Sequence, residues 1–136
     1  MKKRIVKVSM ITASCFVIAY IAVSLWASFS ILNLMKNAEE QQAYSEDFKG
    51  IISKECYKRL NHEGGYHTEK SIKEYTRSFP LSFHTFCKAK ITYYYTCIYR
   101  DNDSGTIQSG SWDVPVTITA KLKDWKWVVE DVYEKP

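Results

Sequence analysis

The run VSMITASCFVIAYIAVSLWASFSILNLM, residues 8–35, contains no charged residue. Lys2, Lys3, Arg4 and Lys7 precede it, and Lys36, Glu39 and Glu40 follow. About 20 helical residues cross a hydrocarbon core, so the 28-residue run spans a bilayer once with length to spare. Its polar members are mostly hydroxyls (Ser9, Thr12, Ser14, Ser24, Ser28, Ser30), which bond back to helix carbonyls and cost little in lipid. Asn33 and Trp26 lie toward the far end, where water is near and interfacial aromatics collect. The excess of basic residues on the N-terminal side, four against Lys36 beyond the run, places that side in the cytoplasm. The expected organisation is a cytoplasmic basic tail (1–7), a single-pass transmembrane signal-anchor helix (8–35) and an extracytoplasmic domain (36–136), held at the cell membrane.

Two other readings of the run are weaker. A cleaved signal peptide could end at Ala22-Val23-Ser24, but Leu25-Trp26 and Ile31–Met35 prolong the apolar stretch past the usual length of such a core. A lipid-attachment box could be read in Thr12-Ala13-Ser14-Cys15. There, however, most of the apolar run follows the cysteine instead of preceding it.

The chain carries 19 Lys+Arg and 15 Asp+Glu. Four of the basic residues lie before Val8, so the segment 36–136 has 15 of each and is formally neutral. The net charge therefore reports topology. It gives no nucleic-acid footprint, which needs clustered positive charge on the folded part. With 16 of its residues aromatic, this segment argues against disorder, and its length suits one core.

Within 36–136 the period of the apolar residues changes. Tyr44, Phe48, Ile51, Ile52, Cys56 and Leu60 follow helical spacing and predict a helix from Asn37 to about Leu60, stopped by Gly64-Gly65. Ile72, Tyr75 and Phe79 predict a second helix, Thr68–Ser78, with Thr68 as N-cap and Pro80 ending it. From Phe83 to Arg100 the period is two. Phe83, Cys87, Ala89, Ile91, Tyr93, Tyr95, Cys97 and Tyr99 share the inward parity. After the turn Asp101–Gly105 a strand over about Thr106–Leu122 buries Trp112, Val114, Val116, Ile118 and Ala120, with a bulge near Gly110. Lys123-Asp124 turns the chain, and Trp125, Trp127, Val129, Asp131 and Tyr133 share a face. The expected fold class is α+β: a transmembrane helix, then two helices on a three-stranded antiparallel sheet.

The hairpin from Val114-Pro115-Val116-Thr117-Ile118-Thr119-Ala120-Lys121-Leu122 through Lys123-Asp124 into Trp125-Lys126-Trp127-Val128-Val129 resembles the last hairpin of nuclear-transport-factor-2-like (cystatin-like) domains. The order of elements over 38–134 is similar too. The resemblance implies a strongly curved sheet with a pocket on its concave face, lined here by Tyr93, Tyr95, Tyr99, Trp112, Trp127 and Asp131. A single span before such a domain is similar to inner-membrane scaffold subunits of conjugation machines and to small surface proteins of Gram-positive bacteria.

The residues supply few chemical groups. Cys56 lies on the inward helix face and is placed to bridge either Cys87 or Cys97. Those two are ten residues apart on one expected strand, about 33 Å at strand rise, and cannot pair with each other. Cys56, His62 and His67 lack the spacing of a metal site, so no metal and no cofactor is expected. Asp131 among aromatics would have a raised pKa, but no oriented acid–base partner shares its parity. The sequence therefore points to a protein without a catalytic residue. It reads as an extracytoplasmic protein-interaction module with an envelope protein as partner, in a conjugation or secretion apparatus. The alternatives are an immunity or exclusion protein at the cell surface, and a binder of small apolar ligands in the aromatic pocket.

Overall fold

The computed structural model describes residues 2–41, 43–61 and 71–135. Helix α1, Lys2–Gln41, is 40 residues long and unbroken. Neither glycine nor proline occurs before Gly50, so nothing local interrupts it. It is long and apolar enough to cross a membrane. Its two halves differ. Ser9 through Ala22 is exposed all round, whereas Ala27, Ile31, Leu34, Met35 and Ala38 are buried. These five fall at i, i+4, i+7, i+8 and i+11, one stripe of a helix. A boundary at residue 36 therefore cuts through a continuous helix, and the second half of the apolar run is the core helix of the folded part.

Among the described residues the sheet has five strands: β1 Ser71–Arg77, β2 Leu81–His84, β3 Lys88–Asp101, β4 Ile107–Lys123 and β5 Lys126–Glu134. Their order is β1-β3-β4-β5, all antiparallel, and β2 pairs with β3 on the same side as β1. β1 and β2 behave as one edge strand interrupted at Pro80. Between them Ser78 N–H donates to the Tyr94 carbonyl at 2.8 Å, and Ser78 Oγ accepts from Tyr94 N–H at 3.0 Å. Ala89, Ile91, Tyr93, Tyr95 and Cys97 alternate inward on β3, as do Val116, Ile118 and Ala120 on β4. This face covers the buried stripe of α1. Burying each large side chain stabilises by about 1.5–3 kcal/mol.

Three expectations change. The residues 71–77, expected as helix, are strand β1, and 68–70 lie outside the described residues. Ile72, Tyr75 and Phe79 fit helical spacing, but Lys73, Tyr75 and Arg77 fit alternation equally, and seven pairings with β3 decide between them. The helix expected over 37–60 is three pieces. α1 ends at Gln41, a 3-10 turn spans Glu46–Phe48, and α2 runs Lys54–Leu60. Gly50 has φ +80°, and Ser53 caps α2 by accepting from Cys56 N–H at 3.2 Å. The apolar residues are still core: Phe48, Ile52, Cys56, Tyr57 and Leu60 are buried. Last, the three long strands are five, because Thr85–Cys87 turns the chain between β2 and β3 and β1 adds the fifth.

The segment after α1 closes the open edge of β5. Ile52 bridges Val129 in parallel, and Val129 N–H donates to the Ile51 carbonyl at 2.7 Å. Cys56 Sγ lies 3.7 Å from the Glu130 carbonyl. Arg59 Nη1 donates to the Val132 carbonyl at 3.4 Å. Backbone groups that would otherwise template a further strand are thereby occupied. Tyr57 ties α2 back to α1, its hydroxyl donating to the Ala38 carbonyl at 3.1 Å.

The turn between β4 and β5 has two residues, Asp124 and Trp125, with φ +50° and +60°. That is the primed hairpin geometry that asparagine and glycine favour. Left-handed backbone costs an ordinary L-residue about 1–2 kcal/mol. Phe86, at φ +54° in the β2–β3 turn, carries the same cost.

Candidate functional site

A cleft of about 250 Å³ opens between α1, the loop after it and the β4–β5 hairpin. α1 supplies Trp26, Ser30, Asn33 and Asn37, which recur every three or four residues and so form one face. Asp47 and Phe48 close one end, and Trp125, Lys126 and Trp127 form the opposite wall. Trp26 meets Trp127 edge to face, with ring centroids 5.7 Å apart. The cleft is therefore aromatic near Trp26 and polar near Asp47.

The polar end is partly self-satisfied. Gln41 Nε2 donates to Asp47 Oδ2 at 3.5 Å, and Ser45 Oγ donates to Gln41 Oε1 at 2.6 Å. Trp127 is buried, yet its Nε1–H has no hydrogen-bond partner among the described residues. An unmet buried donor costs about 1–3 kcal/mol, a cost carried by the fold at this wall. Stacking surfaces, amides, one carboxylate and one amine suit recognition by contact. A nucleophile held by a base is not among these lining groups. The sequence signal for this site was the polar stripe Ser30, Asn33, Asn37 and Gln41 on an otherwise apolar helix.

The residues expected to line a pocket do not come together. Trp127 alone lies on the cleft. Tyr93 is fully buried in the core, its hydroxyl without a hydrogen-bond partner among the described residues. Burial pushes that hydroxyl well above the usual phenol range. Tyr95 is buried and stacks on Tyr75 at 5.7 Å, and its hydroxyl donates to Glu134 Oε1 at 2.5 Å. Tyr75 is pushed up to about 12, chiefly by burial, against the opposing charge of Arg77. Arg77 pairs with Glu39 of α1, so this tyrosine cluster fastens β1 and β3 to the end of the helix. Tyr99 is half-buried next to Cys97.

Trp112 and Asp131 face the other way. Val114 pairs with Tyr95 and Ser111 with Cys97, so Trp112 and Asp113 oppose Thr96 alone. This bulge, just past Gly110, turns Trp112 outward. On β5, Asp131 pairs with Thr119 and Val129 with Ala120, which leaves Glu130 as the extra residue. Parity inverts there. Val132 is buried, whereas Asp131 and Tyr133 are exposed. Asp131 Oδ1 lies 3.4 Å from Arg59 Nη1 in a solvated pair.

Cys56 and Cys97 are buried thiols and Cys87 is an exposed one, none of them in a disulfide. His62 and His67 lie outside the described residues, among which no group of three metal-ligating side chains occurs. His84 was not singled out by sequence reasoning. It is buried, stacks on Tyr20 at 4.2 Å and has Nε2 2.9 Å from the Tyr20 carbonyl, while Nδ1 accepts from Phe86 N–H. These bonds assign the proton to Nε2, and the ring fastens the sheet to α1.

Comparison with protein-family models, curated proteins and solved structures finds no match to this chain.

Proposed function

We propose that this chain is a single-span membrane protein that presents a protein-binding cleft at the cell surface. The N-terminus is cytoplasmic and the C-terminus outside, as the basic residues before the run and the acids after it indicate. The observation that carries the reading is the cleft itself. α1 continues from its exposed apolar half directly into one wall of it, so anchor and recognition surface are one rigid element. The partner is an envelope protein that supplies an apolar side chain to Trp26 and Trp127. A nuclear-transport-factor-2-like (cystatin-like) assignment goes with this proposal. It rests on the order of elements, helix first and the Val114–Val129 hairpin last.

Orientation is tested by a reporter fused after Pro136, which is active only outside the cell in this reading. Binding is tested with a photo-cross-linking residue at Asn37 in the native membrane, with Ser109 at the opposite end of the sheet as control. A discrete adduct is expected from Asn37 alone, and it should weaken on Trp26→Ala. Equal adducts from both positions would refute the cleft as the binding site. The three tryptophans also favour a second reading, a small apolar ligand in the aromatic half of the same cleft. That ligand would block the adduct when added to isolated membranes.

A further inference from the structure

The end of the sheet nearest the exposed half of α1 is built from two neighbouring turns. Thr85–Cys87 joins β2 to β3, and Asp124-Trp125 joins β4 to β5. Leu122 N–H donates to the Cys87 carbonyl at 2.8 Å, which holds them side by side. Each turn carries a large exposed aromatic residue on left-handed backbone, Phe86 and Trp125. Glycine would fit both positions better. Phe86 touches the edges of Tyr20 and His84, whereas Trp125 is 83% exposed. Phe83 on β2 adds a ring that is 72% exposed. Strained backbone that displays apolar rings to the surroundings is poor economy for a fold in water.

The same end is basic. Lys88 stands directly opposite Lys121, and Lys123 opposite Lys126. Like charges opposed across strands repel. None of the four is paired with an acid among the described residues, and Asp124 is the single acid in the turn between them. The acids Asp101, Asp103 and Asp113 lie at or near the opposite end of the sheet.

The height of this end follows from the helix. His84 meets α1 at Tyr20. From Lys7 to Tyr20 the helix rises about 20 Å, about 10 Å less than the thickness of a hydrocarbon core. An α1 that spans with Lys7 at one surface therefore brings the Thr85–Cys87 turn into the opposite leaflet, and it brings Trp125, which lies beside Trp26, about 9 Å higher and close to that leaflet's surface. We propose that this end of the sheet is a lipid-docking surface. Phe83, Phe86 and Trp125 enter the boundary between acyl chains and headgroups, and Lys88, Lys121, Lys123 and Lys126 rest on anionic phospholipid headgroups. The inference rests on the reading of α1 as a membrane span.

Cys15 and Cys87 are exposed and Cys56 and Cys97 buried, so the full chain offers one labelling site in the span and one at the docking end. The Cys15→Ser and Cys87→Ser versions each take one environment-sensitive fluorophore and are reconstituted in nanodiscs. The Cys87 probe should be quenched by headgroup nitroxides when phosphatidylglycerol is present. Most of that quenching should be lost in phosphatidylcholine alone, and in the version with Lys88, Lys121, Lys123 and Lys126 all changed to Gln. Phe86→Gly with Trp125→Gly should also lose it while the melting temperature is kept, because glycine suits both turns. If Cys15 is quenched by mid-chain nitroxides but Cys87 stays unquenched in anionic lipid, docking is refuted and the anchor stands. If Cys15 escapes mid-chain quenching, the span is refuted and docking with it. Unchanged quenching in the glutamine version would overturn the role of the lysines.

Discussion

Ile18 and Ile31 are the same residue type in the same helix and the same uncharged run. They differ in what surrounds them. Ile18 is 66% exposed and Ile31 is 1% exposed beneath the sheet. Truncating Ile31 to Ala removes three carbons, about 2.4 kcal/mol at about 0.8 kcal/mol each. The unfilled cavity adds to this, and Ile→Ala in cores costs about 2–5 kcal/mol. Ile31 is held on a rigid helix against a paired sheet, so little collapse can fill the gap. We expect Ile31→Ala to cost about 3–4 kcal/mol and Ile18→Ala to leave the folded part within about 0.5 kcal/mol of the parent. The assay is denaturant unfolding of the full chain in lipid nanodiscs, followed by tryptophan fluorescence, since Trp26 and Trp127 report the helix–sheet contact. Equal losses for the two variants, or none for Ile31→Ala, would refute the division of the helix into a bare half and a core half.

Trp127→Ala should destabilise by about 3 kcal/mol, the low end for a buried tryptophan, because one side of it faces the cleft; an unchanged melting temperature would show the β5 register to be wrong. Asp131→Asn should change stability by less than about 0.5 kcal/mol, because its pair with Arg59 is solvated. It should also preserve the phenotype that distinguishes the parent from a gene deletion. Loss of that phenotype with an intact fold would revive a role for the carboxylate. The folded-state value of Tyr75 is raised from 10.0 to about 12, and Tyr93 and Tyr95 are raised as well. Their contribution to stability is complete below about pH 10 and is lost as pH climbs from there through 12. Phenolate absorbance should show late-titrating tyrosines that merge with the rest in denaturant, whereas a single titration in the native protein would contradict the buried cluster.

Much of the fold was legible because its signals were local. The alternation Ala89, Ile91, Tyr93, Tyr95, Cys97 and Val116, Ile118, Ala120 is the buried face found in the structure. The uncharged run is the helix, but its dual use was hidden. A stripe of Ala27, Ile31, Leu34, Met35 and Ala38 looks the same in lipid as under a sheet. β1 was misread because its apolar spacing fits either period, and pairing with β3 lies far away in sequence. Asp131 and Trp112 were misplaced for one shared reason. A bulge inserts a residue and inverts every parity beyond it; Gly110 announced the first bulge but not that Trp112-Asp113 forms it, and nothing announces the one at Glu130. The cleft escaped notice because its walls come from α1 and the last hairpin, far apart in the sequence, and because its polar stripe straddles the end of the run: Ser30 was read as a tolerated hydroxyl, Asn33 as lying near water, and Asn37 and Gln41 fall beyond it.

The central claim is that the second half of the apolar helix is the core of the folded part. It is tested most directly by comparing the fragment 36–136 with the full chain by near-ultraviolet circular dichroism and thermal melting. The fragment lacks Ala27, Ile31, Leu34 and Met35, all buried in the intact chain, and should show neither fixed aromatic signals nor a cooperative transition. A fragment that melts cooperatively, with the aromatic spectrum of the full chain, would contradict the account.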